Sequence, residues 1–318
     1  MYRPLVSIII PVFNGSNYLR ESIDSALSQT YKNIEVLVVN DGSTDNDETE
    51  RIALSYGGKV NYYYKENGGV STALNYGIEK MNGDWFSWLS HDDLYLPQKI
   101  ESGIERIVSN KFNVNKTIIS CKTGLINDKK ETIFHPKRFY AGLFTGNQMF
   151  KNLLNDKMLS GCSLLIPKTA IQKVYGFNAE YRFIQDWACW IELALEGNDF
   201  YLYKDELVQS RIHKNQDSIK LVKLHPIEVE RHLIRLLNRF SGNEDQNRYY
   251  LKTILLYNCT TLNNKRVRAL YISKLIEKNE FKIADMIIYT LFLIRGQFIW
   301  ITKKLYRYFI NIKHRGTK

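Results

Sequence analysis

Asp92 and Asp93 stand side by side after an apolar run, with no Lys or Arg beside them in sequence. Two carboxylates so placed suit a divalent cation, and oxygen ligation favours Mg²⁺ or Mn²⁺, each of which keeps water positions that phosphate oxygens can take. Asp92 has a second use, as the cap of a helix expected over Leu96–Ile107, and with two carboxylates present both uses can hold. Upstream, Asn14, Asp41, Asp45 and Asn67 also follow apolar runs, with Gly15, Gly42, Gly68 and Gly69 among them. Downstream, Asp186 opens a helical stretch, where a carboxylate serves as a general base or simply stabilises a first turn. No GxGxxG follows the first apolar run and there is no GxxxxGK[ST], so neither a dinucleotide fold nor a P-loop is indicated. A phosphorylated ligand at such an acidic edge therefore needs an intervening cation.

Short apolar strands alternating with amphipathic helices position these groups. Strands are expected at Val6–Val12, Ile34–Val39, Val60–Tyr64 and Trp85–Leu89, and helices at Tyr18–Gln29, up to Ser55, and at Val70–Met81. That alternation means parallel βαβ units, whose ligands lie beyond the carboxyl ends of the strands. The four loops there, Phe13–Ser16, Asp41–Asp45, Lys65–Gly69 and Ser90–Asp93, all carry polar or acidic groups. Asp45 or Thr44 is expected to cap the second helix. Farther on the pattern loosens, with strand-like Lys116–Cys121, Gly124–Asn127 and Ser163–Ile166 and helices at Asn147–Asn155 and Gln185–Glu196. Beyond Asp217 only helical character is expected.

The chain has 318 residues and a formal charge of +11, and the charge is unevenly placed. Residues 1–219 hold 24 basic and 26 acidic side chains, whereas residues 220–318 hold 20 and 7. A basic active domain is thereby excluded. The division suggests a catalytic domain over 1–219 and a basic helical region over 220–318. Pro11 interrupts the first apolar run, so a strand is expected there rather than a signal peptide. Cys121, Cys162, Cys189 and Cys259 form no CxxC pair, which fits inert thiols in a reducing compartment and argues against a zinc site. Trp85, Trp88, Trp187 and Trp190 read mainly as core, and His91 as an exposed loop residue.

VSIIIPVFN, IEVLVVNDGSTD, NGGVSTALNYGI and GDWFSWLSHDD, in that order, resemble the nucleotide-sugar half of the inverting glycosyltransferase family 2, of GT-A fold. GFNAEYRFIQDWACWIELALEG and LVQSRIHKNQDS resemble its acceptor-side motif and closing loop, so the resemblance covers about residues 4–218. It implies a Rossmann-like, mostly parallel GT-A domain followed by a helical C-terminal region. It implies that Pro11 and Phe13 line a base pocket with Asn14 beside them, and that Asp41 accepts from the base N3–H, favouring a UDP-sugar or other pyrimidine donor. Asn67 and Gly68 would lie beside the nucleotide. Asp92 would ligate Mn²⁺ or Mg²⁺, Arg211 and His213 would reach the diphosphate, and His213 would touch the metal. Asp186 would be the base, and Trp187 would stack on an acceptor sugar. The acceptor implied is a glycan or lipid-linked saccharide in polysaccharide biosynthesis.

Three positions depart from the family pattern. Ser90 stands where the metal motif begins with Asp, Gln185 where Glu precedes the base, and Leu74 where many members carry Arg. Ser90 stays in the donor-side set, and Ser90 with Leu74 motivates a competing reading, a catalytically degenerate nucleotide-sugar-binding scaffold. Met286–Ile301 is too short and interrupted for a membrane span, which needs about twenty apolar residues. Its basic, aromatic flanks suit an anionic membrane surface, a helix packed on the catalytic domain, or a homodimer interface. Nucleic-acid binding is disfavoured because the region is too apolar for a phosphate-binding arm. The location expected is cytoplasmic, with peripheral attachment to the inner membrane face as the variant the tail suggests.

Overall fold

The structure, a computed structural model, describes residues 2–135, 139–155, 159–214, 216–240, 249–251, 253–254 and 270. The chain divides into two units, one of Met1–Leu153 with Lys157–Val222 and one of Leu154–Asp156 with Lys223–Lys318. The described elements run β1 (Val6–Val12), α1 (Leu19–Leu27), β2 (Ile34–Asp41), α2 (Glu48–Leu54), β3 (Asn61–Lys65), α3 (Val70–Lys80) and β4 (Trp85–Trp88). They continue with β5 (Leu94–Tyr95), α4 (Lys99–Ser109), β6 (Thr117–Ile126), β7 (Thr132–Phe134), β8 (Gly142–Phe144) and α5 (Gly146–Leu154). Last come β9 (Leu164–Pro167), α6 (Lys168–Lys173), α7 (Gln185–Leu195), β10 (Asp199–Arg211), α8 (Asp217–Lys220) and α9 (His225–Arg239).

Every residue of β1 is buried, as a strand covered on both faces requires. It pairs in parallel with β2 on one side and β4 on the other, Ile8 lying opposite Val36 and Ser87. Helix α1 buries Leu19, Ile23 and Ala26 at helical spacing, and α3 buries Ala73, Leu74, Gly77 and Ile78. Each large aliphatic side chain so removed from water contributes about 1.5–3 kcal/mol. Gly77 lets α3 lie close against β1: a Cβ there would lie 2.5 Å from Ile9 Cγ2.

The strand order is β3-β2-β1-β4-β9-β6-β10-β5, with β7 on β6 and β8 on β10. The first four strands are parallel. β9 then runs antiparallel to both β4 and β6, and β10 is parallel to β6. The expected α/β class is what the structure has, and the sheet is mixed rather than mostly parallel throughout.

Several local expectations are corrected. The two short strands at 116–121 and 124–127 are one strand, β6. A 13-residue strand not foreseen, β10, lies between β6 and β5 and takes in the first residues of the expected closing loop. Asp92 does not cap the helix of residues 99–109: α4 begins at Lys99 behind Gln98, and β5 intervenes. The N-cap of α2 is Asp47 rather than Asp45 or Thr44, though the Asp45 carboxylate accepts from the Thr49 N–H at 3.2 Å and hydroxyl at 2.6 Å. Trp85, Trp88, Trp187 and Trp190 are all buried, as are the thiols of Cys121, Cys162 and Cys189.

Helical character past Asp217 is seen in α8 and α9. Met286–Ile301, its flanks and Cys259 lie outside the described residues. Among the described residues no helix is long and apolar enough to cross a membrane.

Candidate active site

The carboxyl ends of β1 and β2 are tied together by Asn14. Its backbone sits at φ 49° and its N–H donates to Ser43 Oγ at 2.9 Å. Its side-chain oxygen accepts from the Thr44 N–H at 2.7 Å. A short polar side chain is what tolerates this left-handed backbone. Pro11 is buried within β1 opposite Val39, whereas Phe13, just past the strand, is 45% exposed. An exposed ring at a strand end is available to pack on a planar ligand.

Asp41 closes β2 and is only 3% exposed. One carboxylate oxygen accepts from Lys65 Nζ at 2.6 Å and the Gly68 N–H at 3.1 Å, and the other accepts from the Gly69 N–H at 2.7 Å. Asn67 Nδ2 returns a bond to the Asp41 carbonyl at 2.8 Å. The acid thus sits in a nest of backbone amides at the start of α3. Gly42, at φ 71°, permits the close approach: a Cβ there would lie 2.6 Å from the Asn67 nitrogen. Lys65 is a site residue not anticipated from its type. Its signal was positional, since the last residue of β3 pairs with Asp41 in the parallel register.

The two aspartates after β4 take different directions. Asp92 Oδ2 lies 2.9 Å from His213 Nε2, joining the loop after β4 to the loop after β10. Asp93 turns inward, where its oxygens accept from the Arg211 N–H at 2.9 Å and from Cys162 Sγ at 3.2 Å. Burial, and then the Asp92 charge beside it, raises the pKa of Asp93. Ser90 donates its N–H to Cys162 Sγ at 3.3 Å, so this thiol spans the turn on which Asp92 is carried. Cys162 therefore does more than fill space. His91 is half-buried rather than exposed, and burial lowers its pKa.

Arg211, expected at the diphosphate, is turned inward in this structure. Its side chain is 0% exposed, with Nη2 on Glu21 Oε2 at 2.6 Å and Nε on the Asp92 carbonyl at 3.0 Å. Among the described residues no three His, Cys, Asp or Glu side chains converge as a metal cage. Asp92 and His213 nevertheless offer one carboxylate oxygen and one imidazole nitrogen within reach of a common cation. That pair fits an ion completing its sphere with phosphate oxygens and water.

The loop leading to Asp186 is held on α3: Asn75 Nδ2 donates to the Phe177 carbonyl at 2.7 Å and Ser71 Oγ to the Tyr181 carbonyl at 3.3 Å. Ser71 lies in the first turn of α3, so this loop reaches the same sheet edge. Asp186, in the first turn of α7, accepts from the Trp187 N–H at 2.7 Å. The carboxylate thus stabilises the helix terminus. Burial raises its pKa to about 6 against that hydrogen bond, which makes it a stronger base than an exposed carboxylate. Beside it, Gln185 Oε1 is buried without a hydrogen-bond partner. Trp187, expected to stack on an acceptor sugar, is buried in this structure. It is 7% exposed and its Nε1–H is taken by the Leu153 carbonyl at 2.9 Å.

The sheet, with its acidic edge at the ends of the parallel strands, is that of the GT-A glycosyltransferases. Residues 7–175 match the model of the family described as Glycosyl transferase family 2, and the chain belongs to that family. It is 47% identical over 217 residues to an uncharacterized glycosyltransferase, RT0329, of Rickettsia typhi, covering 68% of this chain and 66% of that protein, just under two thirds. Among solved structures it is similar to S. aureus TarS in complex with UDP-GlcNAc, at TM-score 0.58 and 16% identity over 85% of this chain and 79% of that one. It is also similar to a mannosyltransferase from Pyrobaculum calidifontis in complex with GDP-Man and Mn²⁺, at TM-score 0.59 and 15% identity over 94% and 86% of the chains. At these identities the structural likeness concerns the fold.

Proposed function

We propose that the chain is a metal-dependent inverting glycosyltransferase. It would move a sugar from a UDP-sugar or other pyrimidine nucleotide sugar to a hydroxyl of a glycan or lipid-linked saccharide, in the building of a polysaccharide. The observation that carries this reading is the Asp92–His213 pair beyond the parallel strands. The Asp41–Gly68–Gly69 nest opens on the same edge. The nucleotide sugars and the Mn²⁺ bound by the TarS and mannosyltransferase structures support the same chemistry here.

Three donors occupy three of roughly four lone-pair sites on Asp41, leaving one for a base N–H. Phe13 packs on the base, with Pro11, Asn14, Asn67 and Gly68 shaping the pocket. Asp92 and His213 hold the divalent ion, and the imidazole favours Mn²⁺ over Mg²⁺. Bound there, the ion would neutralise charge growing on the departing diphosphate. Asp186 accepts the proton of the acceptor hydroxyl. That oxygen attacks the anomeric carbon opposite the diphosphate, whose bond to carbon breaks with the electron pair leaving on the nucleotide. One displacement inverts the centre and needs no nucleophile from the protein. The basic region beyond residue 219 would hold the enzyme at the inner face of the membrane in the cytoplasm.

Ser90 and Leu74 favour the competing reading of a binding protein without turnover, since Leu74 is fully buried and supplies no cation. A panel of UDP- and GDP-sugars, scored by thermal stabilisation with Mn²⁺ and with chelator, tests both. Stabilisation by a UDP-sugar only with metal, followed by its metal-dependent hydrolysis, is expected. Binding without hydrolysis or transfer would favour the scaffold, and no binding would overturn both.

A further inference from the structure

One buried cation bonds to Asp92 and lies over the tyrosine ring that stands beside His213. Arg211, the last residue of β10, donates Nε–H to the Asp92 carbonyl at 3.0 Å and its backbone N–H to Asp93 Oδ1 at 2.9 Å. Its Nη1 donates to the Asp128 carbonyl at 3.0 Å, and Nη2 reaches Glu21 Oε2 on α1 at 2.6 Å. The guanidinium lies over the Tyr18 ring, 4.4 Å from its centroid, and that ring stands 5.1 Å from the ring of His213. Tyr18 is itself fixed by donating its hydroxyl to Asp128 Oδ1 at 2.6 Å. Glu21 Oε1 also meets Lys130 Nζ at 3.2 Å.

We propose that Arg211 and Glu21 form a positioning device for the diphosphate end of the site, with Arg211 acting on Asp92 and His213 rather than on the ligand. The inference rests on the nucleotide-sugar reading above. Burial and saturation argue for it. A guanidinium with no exposed surface, whose donors already meet three carbonyls and a carboxylate, cannot reach a diphosphate without abandoning them. Two residues beyond it, His213 has its ring between Asp92 and Tyr18. The carboxylate that balances the buried charge is contributed from 190 residues away in sequence. Glu21 is half-buried, and its recorded partners are Arg211 and Lys130.

Calorimetric titration of the full chain with Mn²⁺–UDP, and separately with uridine, tests the assignment in wild type, Glu21→Gln and Tyr18→Phe. Loss of an outer partner of a metal ligand weakens affinity about 10–100-fold. Glu21→Gln is therefore expected to weaken Mn²⁺–UDP by about tenfold or more while uridine stays within about twofold, with a smaller loss in Tyr18→Phe. Unchanged or tighter Mn²⁺–UDP binding in Glu21→Gln would overturn the proposal, since it would release Arg211 toward the phosphates. Equal loss of both ligands would overturn it too, by showing a general structural failure. Absence of Mn²⁺–UDP binding in wild type would instead sink the nucleotide reading, and this inference with it.

Discussion

Asp92 and His213 are 121 positions apart in sequence and their side chains meet at 2.9 Å. If the pair holds the ion, Asp92→Asn and His213→Ala should each make donor binding insensitive to Mn²⁺. Loss of the charged ligand should cost more than loss of the neutral one. Titrating Mn²⁺ at fixed UDP-sugar concentration measures this. Retained metal dependence in both variants would separate the pair from the ion.

If Asp186 is the base, its titration should shape the pH response. Its pKa is raised to about 6 by burial, so below that value the carboxylate is protonated and cannot accept the acceptor proton. The second-order rate constant should fall about tenfold per pH unit on the acid side of 6 and level off above it. Asp186→Asn should lose about 10²–10⁴-fold in rate with donor affinity kept, by isothermal titration of donor alongside turnover. Equal turnover would remove the base assignment.

Gly42 and Gly57 form a matched pair. Both have left-handed backbone, but a Cβ at Gly57 meets nothing within 4 Å, whereas one at Gly42 meets the Asn67 nitrogen. Gly57→Ala should therefore cost only about 1–2 kcal/mol of stability. Gly42→Ala should cost more and also weaken UDP-sugar binding, because the Asn67–Gly69 loop must leave Asp41. Denaturant midpoints and donor titrations on the two variants check the contrast.

Lys99 is 1% exposed beneath the site, bonded to Ser87 Oγ, Tyr95 Oη and the Leu164 carbonyl. Burial lowers its pKa from 10.5 to about 8. Between those values the unfolded chain carries a proton that the folded chain does not, so this residue's contribution to stability rises with pH there. The full cost, about 3 kcal/mol, applies below pH 8 and disappears near pH 10.5. Wild type should accordingly gain on Lys99→Met across that window, as Ser87 and Tyr95 keep their mutual bond at 2.8 Å in the variant. Urea unfolding at several pH values measures the difference, and a flat difference would mean that Lys99 is not titrating.

Trp187 distinguishes packing from acceptor recognition. With its N–H on the Leu153 carbonyl, Trp187→Phe should lower stability by about 1–3 kcal/mol and leave the acceptor KM unchanged. A raised KM at unchanged melting temperature would restore the stacking role.

The parallel half of the sheet was legible because each of its strands ends abruptly in polar residues, as at Asn14, Asp41 and Asp92. β10 was harder to read. Its middle carries Lys204, Asp205 and Glu206, and the register against β6 shifts between Leu202 and Glu206, so one strand looks like two fragments. The fate of Arg211 was hidden for a related reason. The family resemblance points this arginine at the diphosphate, and nothing in the sequence brings Glu21 and the carbonyls of Asn127 and Asp128 around it. Asp93 and Asp92 are likewise chemically identical in sequence, and their partners separate them: His213 on Asp92, Cys162 and the Arg211 amide on Asp93.

β10 lies inside the sheet, yet it is among the last strands to be made. During synthesis the parallel strands up to Trp88 emerge first and can pair among themselves. Asp92 then has no histidine partner, and Asp93 no backbone donor from β10, until the chain has grown past residue 213. The emerging polypeptide would thus present the Asp41 edge early and complete the Asp92–His213 corner late. An excised fragment of residues 7–175, the span that defines the family match, would stop at the same half-built stage.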